Sequence, residues 1–193
     1  MSARKKNVTF DDLVKLGPKK LILLLIAAAL LYFSGGDFSF LGQQDSDINS
    51  GIVQGIVARV VDGDTAVIRV GSDERRVRFL GVDTPETVHP KKGVQFYGKE
   101  ASNFTKNFLT GKNVWLEYDK NPTDRYNRHL AYIWLSNPKN INENTIRKDM
   151  FNARLLIDGY AKVMIIKPNT RYANLFTKFQ NEAMKSHKGL WAE

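Results

Sequence analysis

Asp83 and Glu86 stand three positions apart in "FLGVDTPETVHPKKG" (79–93), on either side of Pro85 at the end of an apolar run. Asp64 closes the turn of "VDGDT" (61–65) further upstream. Carboxylates brought close together repel unless a proton or a cation lies between them. Hard oxygen ligands in a chain without cysteine point to Ca²⁺ or Mg²⁺ rather than zinc. A site with few protein ligands leaves room for water and for a substrate oxygen. Each stretch alone also has a plain conformational reading, since Asp-Gly makes tight turns and Asp-Thr-Pro-Glu sets a proline at the second turn position. Arg78 lies five residues before Asp83, in a run otherwise apolar at Val77, Phe79 and Leu80. A fixed guanidinium there could hold two phosphate oxygens, whereas taken singly it reads as an arginine snorkelling to solvent. Arg128 in "TDRYNR" invites the same two readings, and Tyr126 beside it could stack on a base. His89, His129 and His187 show no metal-ligand spacing and read as structural or surface residues.

The elements that must position these groups are short. "IVQGIVARVV", "AVIRV" and "RRVRFLGV" (75–82) are β-branched runs separated by "DGDT" and "GSDE", which is a three-stranded meander. In a meander the ends bearing Asp64 and Asp83 share one sheet edge. Tyr97, Ala101, Phe104 and Phe108 then fall at helical spacing, and "NVWLEYD" and "HLAYIWL" give two further strands. "MFNARLLIDG" reads as a short helix ending at Gly159. Tyr172, Leu175, Phe179 and Ala183 mark a longer one, with Gly189 as its C-cap. Five strands with a helix after the third is the element order of an OB-type barrel.

Charge and hydropathy divide the chain. Residues 1–50 hold 6 basic and 5 acidic residues, against 23 and 15 from 51 onward, so the folded part is the basic part and suits a polyanion. Between Lys20 and Asp37 the chain is uncharged, and Leu21 to Phe33 are apolar without a break. Residues 1–20 read as a basic cytoplasmic leader, 21–36 as a single hydrophobic helix, and 37–51 as a polar linker. The helix is a transmembrane anchor or a signal h-region. An anchor is favoured, because the leader is long and acidic at Asp11 and Asp12, and no Ala-x-Ala site follows. The positive-inside rule leaves the N-terminus in the cytoplasm and the rest outside; cleavage would instead release a secreted protein. Absence of cysteine excludes disulfides and thiolate metal sites.

From about residue 53 to 193 the chain resembles the staphylococcal nuclease (thermonuclease, micrococcal nuclease) family. The resemblance rests on "VDGDT", "RFLGVDTPETVHPKKGVQFYGKEASNFTK", "EYDKNPTDRYNRHLAYIW", "AKV" with "KPN", and "GLW". Asp64, Arg78, Asp83 and Glu86 keep the family's mutual spacing, and Arg128 falls in the matching loop. The resemblance implies a five-stranded OB-fold barrel with three flanking helices over 52–193, and Ca²⁺-dependent cleavage of DNA and RNA that leaves 3′-phosphates. Under it Asp64 and Asp83 would bind Ca²⁺ by their carboxylates and Thr84 by its carbonyl. Glu86 would orient or deprotonate the attacking water, and Arg78 and Arg128 would clamp the phosphate. Arg125, in place of the family's lysine, and Tyr126 would contact substrate. A monomer without a protein partner is implied. A non-catalytic nucleic-acid- or protein-binding module of the same fold is the alternative reading; such modules typically lose the metal and phosphate residues. Departures are "VMIIKPN", without the two tyrosines of the nucleotide pocket, which leaves Tyr126 and Tyr172 to stack on bases. Asn127 replaces a glycine yet tolerates left-handed backbone. A longer 137–149 is read as a surface excursion.

Overall fold

Short runs rich in β-branched and aromatic residues, separated by turns, build a closed barrel. The computed structural model describes residues 51–87 and 95–192. The leader, the hydrophobic helix expected over 21–36, the linker up to residue 50, and His89 lie outside them. Among the described residues no helix is long and apolar enough to cross a membrane. The strands are β1 (Ile52–Asp62), β2 (Thr65–Val70), β3 (Asp73–Phe79), β5 (Asn113–Thr123) and β6 (His129–Trp134), in the order β1-β2-β3-β6-β5. β1 pairs with β5 to close the ring, and all pairings are antiparallel except β3 with β6. Bulges in β1 between Val57 and Arg59 and between Val60 and Asp62 let this long strand curl. Val57, Ala66, Ile68, Val77, Phe79, Leu116 and Leu130 are fully buried in the core.

The helices are α1 (Gly98–Leu109), α2 (Glu143–Asp149), α3 (Phe151–Ile157) and α4 (Ala173–Lys185). α1 buries Gly98, Ala101, Thr105 and Leu109, with Phe104 and Phe108 half-buried beside them. α3 ends before Gly159 as its spacing predicts.

Four expectations are corrected. The run 75–82 is not one strand: β3 stops at Phe79, and β4 (Gly81–Asp83) leaves the barrel to pair with β7 (Lys162–Met164). Gly81 makes the break, with a left-handed φ of 78° and the Phe176 ring so close that a Cβ would lie 2.4 Å from it. Buried Asn152 fixes the break, donating to the Leu80 carbonyl at 2.8 Å and accepting from the Ile133 N–H at 2.7 Å. The stretch 137–149 is not a plain surface excursion, because it contains α2, capped by Asn142 and Thr145 reciprocally and anchored by buried Ile146. The three expected helices are thus four. Finally, α4 ends at Lys185 with Ser186 as its cap, and the left-handed residue directly after the cap is His187, at φ 50°; Gly189, also left-handed at φ 54°, lies two residues further on. Gly189 opens a short 3₁₀ turn, Gly189–Trp191.

Candidate active site

The β1–β2 turn places Asp64. Gly63 within it has no room for a side chain, since a Cβ would lie 2.6 Å from Thr84 Oγ1. The turn is held from behind by the buried Thr105 hydroxyl of α1, which donates to the Gly63 carbonyl at 2.6 Å. Asp64 itself is buried. Its Oδ2 accepts from the Thr84 N–H at 2.8 Å and the Thr84 hydroxyl at 3.0 Å, and its Oδ1 from the Thr65 hydroxyl at 3.1 Å. These bonds tie the β1–β2 turn to the end of β4.

Arg78 stands opposite Thr65 in the β2–β3 ladder, on the outer face of the barrel. It does not snorkel: it is 4% exposed. Its Nη1 donates to the Val82 carbonyl at 2.8 Å and lies 3.0 Å from Asp64 Oδ2, while Nη2 donates to Asp83 Oδ1 at 2.8 Å. One guanidinium thereby bridges both carboxylates. Asp83, at the end of β4, is half exposed. Burial pushes its carboxyl above the ordinary range; Arg78 draws it back, and Asp64 and Glu86 push it further up.

Glu86 is exposed on the loop beyond Pro85. Its N–H donates to the Gln95 side chain at 3.1 Å and its carbonyl accepts from the Gln95 N–H at 3.1 Å, so the segment just ahead of α1 braces the loop. From the β5–β6 loop comes Arg128. Its Nε donates to Asp124 Oδ2 at 2.7 Å, and the same aspartate accepts the N–H groups of Tyr126 and Arg128 at 2.9 Å each. Burial alone would raise the Asp124 carboxyl, but these bonds and the Arg128 charge outweigh it and hold the carboxyl low. Asn127 adopts the left-handed conformation the turn requires, at φ 59°.

A cavity of about 310 Å³ gathers Asp64, Arg78, Asp83, Thr84, Glu86 and Arg128. Asp62, Thr65, Arg76 and Thr87 also line it, and the sequence reading did not single them out. Asp62 sits inside the same "VDGDT", whose Asp-Gly pair also has a plain turn reading. Its carboxyl is raised by burial and by Asp64 and Glu86, against hydrogen bonds from the Gly63 N–H and Thr87. Two wider surface grooves lie elsewhere: one includes Arg75, Tyr118 and His129, the other Phe104, Phe108 and Tyr160. Neither pairs a buried arginine with carboxylates.

The acidic donors of the cavity are all hard oxygens, and two of the carboxyls are pushed up in part by neighbours of like charge. That composition fits a hard divalent cation. Among the described residues no three acidic or imidazole side chains converge on one point.

The model of the staphylococcal nuclease homologues matches residues 76–193, which is most of the chain. This chain belongs to the staphylococcal nuclease family. It is 41% identical over 172 residues to the thermonuclease of Staphylococcus intermedius, covering 88% of this chain and 94% of that protein. It is 44% identical over 136 residues to the thermonuclease of Staphylococcus hyicus, covering 70% and 74%. Endonuclease YncB of Bacillus subtilis is 34% identical over 137 residues, 70% of this chain and 60% of that protein.

Within this chain the expected base-stacking residues separate. Tyr126 is 64% exposed, with the Arg125 guanidinium 4.8 Å and the Arg128 guanidinium 5.6 Å from its ring centre. Arg125 also donates to the Tyr126 hydroxyl at 2.7 Å. Neither Arg125 nor Tyr126 lines the cavity; both stand outside it on the β5–β6 loop. Tyr172 is not available to a base. It is buried, and its hydroxyl donates to Glu117 at 2.9 Å. Glu117, buried too, also accepts from Trp134 Nε1 at 2.7 Å and from Arg171, so Tyr172 belongs to a structural network.

Proposed function

We propose that this chain is a Ca²⁺-dependent phosphodiesterase that hydrolyses DNA and RNA by water attack on phosphorus and leaves 3′-phosphate ends. The observation that carries the reading is the buried guanidinium of Arg78 set between two carboxylates, in a cavity that Glu86 and Arg128 also line. The thermonuclease relatives support it.

Phosphoryl transfer asks a protein for positioning and charge stabilisation more than for covalent help. Ca²⁺ held by the Asp64 and Asp83 carboxylates and the Thr84 carbonyl would supply positive charge beside the phosphate oxygens. Two carboxylates make a weak site, with affinity in the ~10⁻⁴ to 10⁻³ M range of extracellular modules. Glu86 takes the proton of the attacking water. The water oxygen bonds to phosphorus, the bond from phosphorus to the 5′-oxygen breaks, and that oxygen leaves as a hydroxyl after taking a proton from solvent. Arg78 and Arg128 donate N–H groups to the non-bridging oxygens as their charge grows. Both guanidiniums are held beforehand, Arg78 by Val82 and the aspartates, Arg128 by Asp124, so little reorganisation accompanies the step. Tyr126 and Arg125 stack on and contact the substrate chain outside the cavity.

We also propose that 21–36 anchors the chain and holds the nuclease domain, 52–193, outside the cytoplasmic membrane, where Ca²⁺ is abundant enough to fill a weak site. The apolar run, the basic residues before it and the acidic residues after it support this. Activity found in the membrane fraction supports the anchor, and activity found only in the medium supports cleavage.

The chemistry is tested by incubating end-labelled DNA and RNA with the purified chain at millimolar Ca²⁺ and with a calcium chelator. Cleavage should need Ca²⁺ and leave 3′ ends that a phosphatase can trim. Products with 5′-phosphates, or cleavage that persists in chelator, would overturn it.

A further inference from the structure

Strand geometry puts another arginine beside the cleavage site. β3 alternates its side chains, so Arg76 and Arg78 share the outer face of the barrel, two residues and about 6.6 Å apart along the strand. Arg78 is buried and committed to Asp64 and Asp83. Arg76 is exposed at the mouth of the same cavity, and among the described residues no carboxylate or carbonyl pairs with it. In the ladder Arg76 faces Val67, and Val67 faces Arg59 on β1, so Arg59 and Arg76 lie in one cross-strand row on that face. Arg59 is exposed and likewise has no ion pair among the described residues. The next row outward differs: Arg69 faces Glu74 and pairs with it at 3.1 Å. The sheet thus neutralises its basic charge further from the cavity and leaves it free in the row next to Arg78.

From this we infer a second phosphate subsite, formed by Arg76 with support from Arg59, that holds the phosphate flanking the scissile one. The inference rests on the proposed phosphodiesterase reading and extends it from a single phosphate to a polymeric substrate. A step of two strand residues is comparable to the spacing of neighbouring phosphates in an extended nucleotide strand, so a chain clamped by Arg78 presents its next phosphate to Arg76. An arginine can take two oxygens of that phosphate at once. The subsite makes the enzyme favour chains over single phosphodiesters.

The test uses oligothymidylates in which every linkage is a neutral methylphosphonate except one cleavable phosphodiester, with or without a second charged phosphate next to it on either side. For the unaltered chain, neutralising the flanking phosphate on one side should lower kcat/KM about tenfold, the scale of one charge-assisted hydrogen bond, mainly through KM. Arg76→Gln should lose about as much on the substrate that retains that phosphate and should lose nothing further when it is neutralised. Arg76→Lys, which keeps the charge, should recover part of the loss. If instead the two losses multiply, so that Arg76→Gln still suffers the whole penalty of neutralisation, the subsite is overturned while the cleavage reading stands. If the unaltered chain at millimolar Ca²⁺ cleaves neither these substrates nor an all-phosphodiester oligothymidylate, the cleavage reading falls and the subsite with it; if it cleaves only the latter, a single flanking phosphate is not what the site reads and the subsite is overturned alone.

Discussion

Arg78 and Asp64 form a buried ion pair at 3.0 Å, and the same guanidinium reaches Asp83 at 2.8 Å. The pair does two things at once. It joins the β1–β2 turn to the end of β4, and it keeps a planar cation fixed at the wall of the cavity. Arg78→Lys separates these tasks, because an ammonium is a single point of charge that cannot span both carboxylates or offer two parallel donors. The variant should stay folded but lose about 10²- to 10³-fold in kcat, the cost of removing one preorganised donor from a reacting centre. Single-turnover cleavage with a circular-dichroism check of folding measures it. Arg78→Leu should in addition destabilise the fold by about 3 kcal/mol, since it strands the buried Asp64 carboxylate.

Gly63→Ala probes the turn. A methyl at this position would lie 2.6 Å from Thr84 Oγ1 and 2.9 Å from Thr84 Cβ, so Thr84 must move. Because Thr84 supplies two hydrogen bonds to Asp64, overpacking here should cost about 1–3 kcal/mol and also displace the carboxylate. Urea denaturation should show the stability loss, accompanied by a fall in cleavage rate larger than the unfolded fraction explains.

Much of this site can be read in the sequence, and the unread parts share a cause. "VDGDT" and "RFLGVDTPE" carry Asp64, Arg78 and Asp83, and a plain meander is enough to bring their strand ends together. Arg76 was equally legible two residues from Arg78, by the period of the strand alone. The cap of α2 was legible as well, since Asn142 and Thr145 have a capping box's spacing. The break at Gly81 was not, because it depends on the ring of Phe176, far along the chain. Nor was the burial of Tyr172, which is set by Glu117, 55 residues away, and by no local pattern.

Acid should weaken the Arg128 loop. The Asp124 carboxyl is held below its ordinary value of 3.8 in the fold, so its stabilising contribution is complete above that pH and is lost as the pH falls through the lowered value. Asp62 and Asp83 have the opposite sign: raised in the fold, they cost stability at neutral pH and relieve that cost on protonation. Asp124→Asn should therefore be less stable than the parent near neutrality, and the difference should shrink in strong acid. Denaturant midpoints of parent and variant across that range check this, and a gap that widens in acid would be the wrong sign.

Glu86 bears the proposed proton transfer, and its loop is held by Gln95 through the backbone rather than through the carboxylate. Glu86→Gln therefore removes the base without removing the loop's bracing. The decisive measurement is single-turnover cleavage of a labelled DNA strand by Glu86→Gln at saturating Ca²⁺, beside the binding of the same strand. Binding should stay within about twofold of the parent while the cleavage rate falls by about 10²-fold or more, as for loss of a general base. A variant that binds and cleaves at the parental rate would contradict the assignment of this cavity as a phosphodiester-cleaving site with Glu86 as its base.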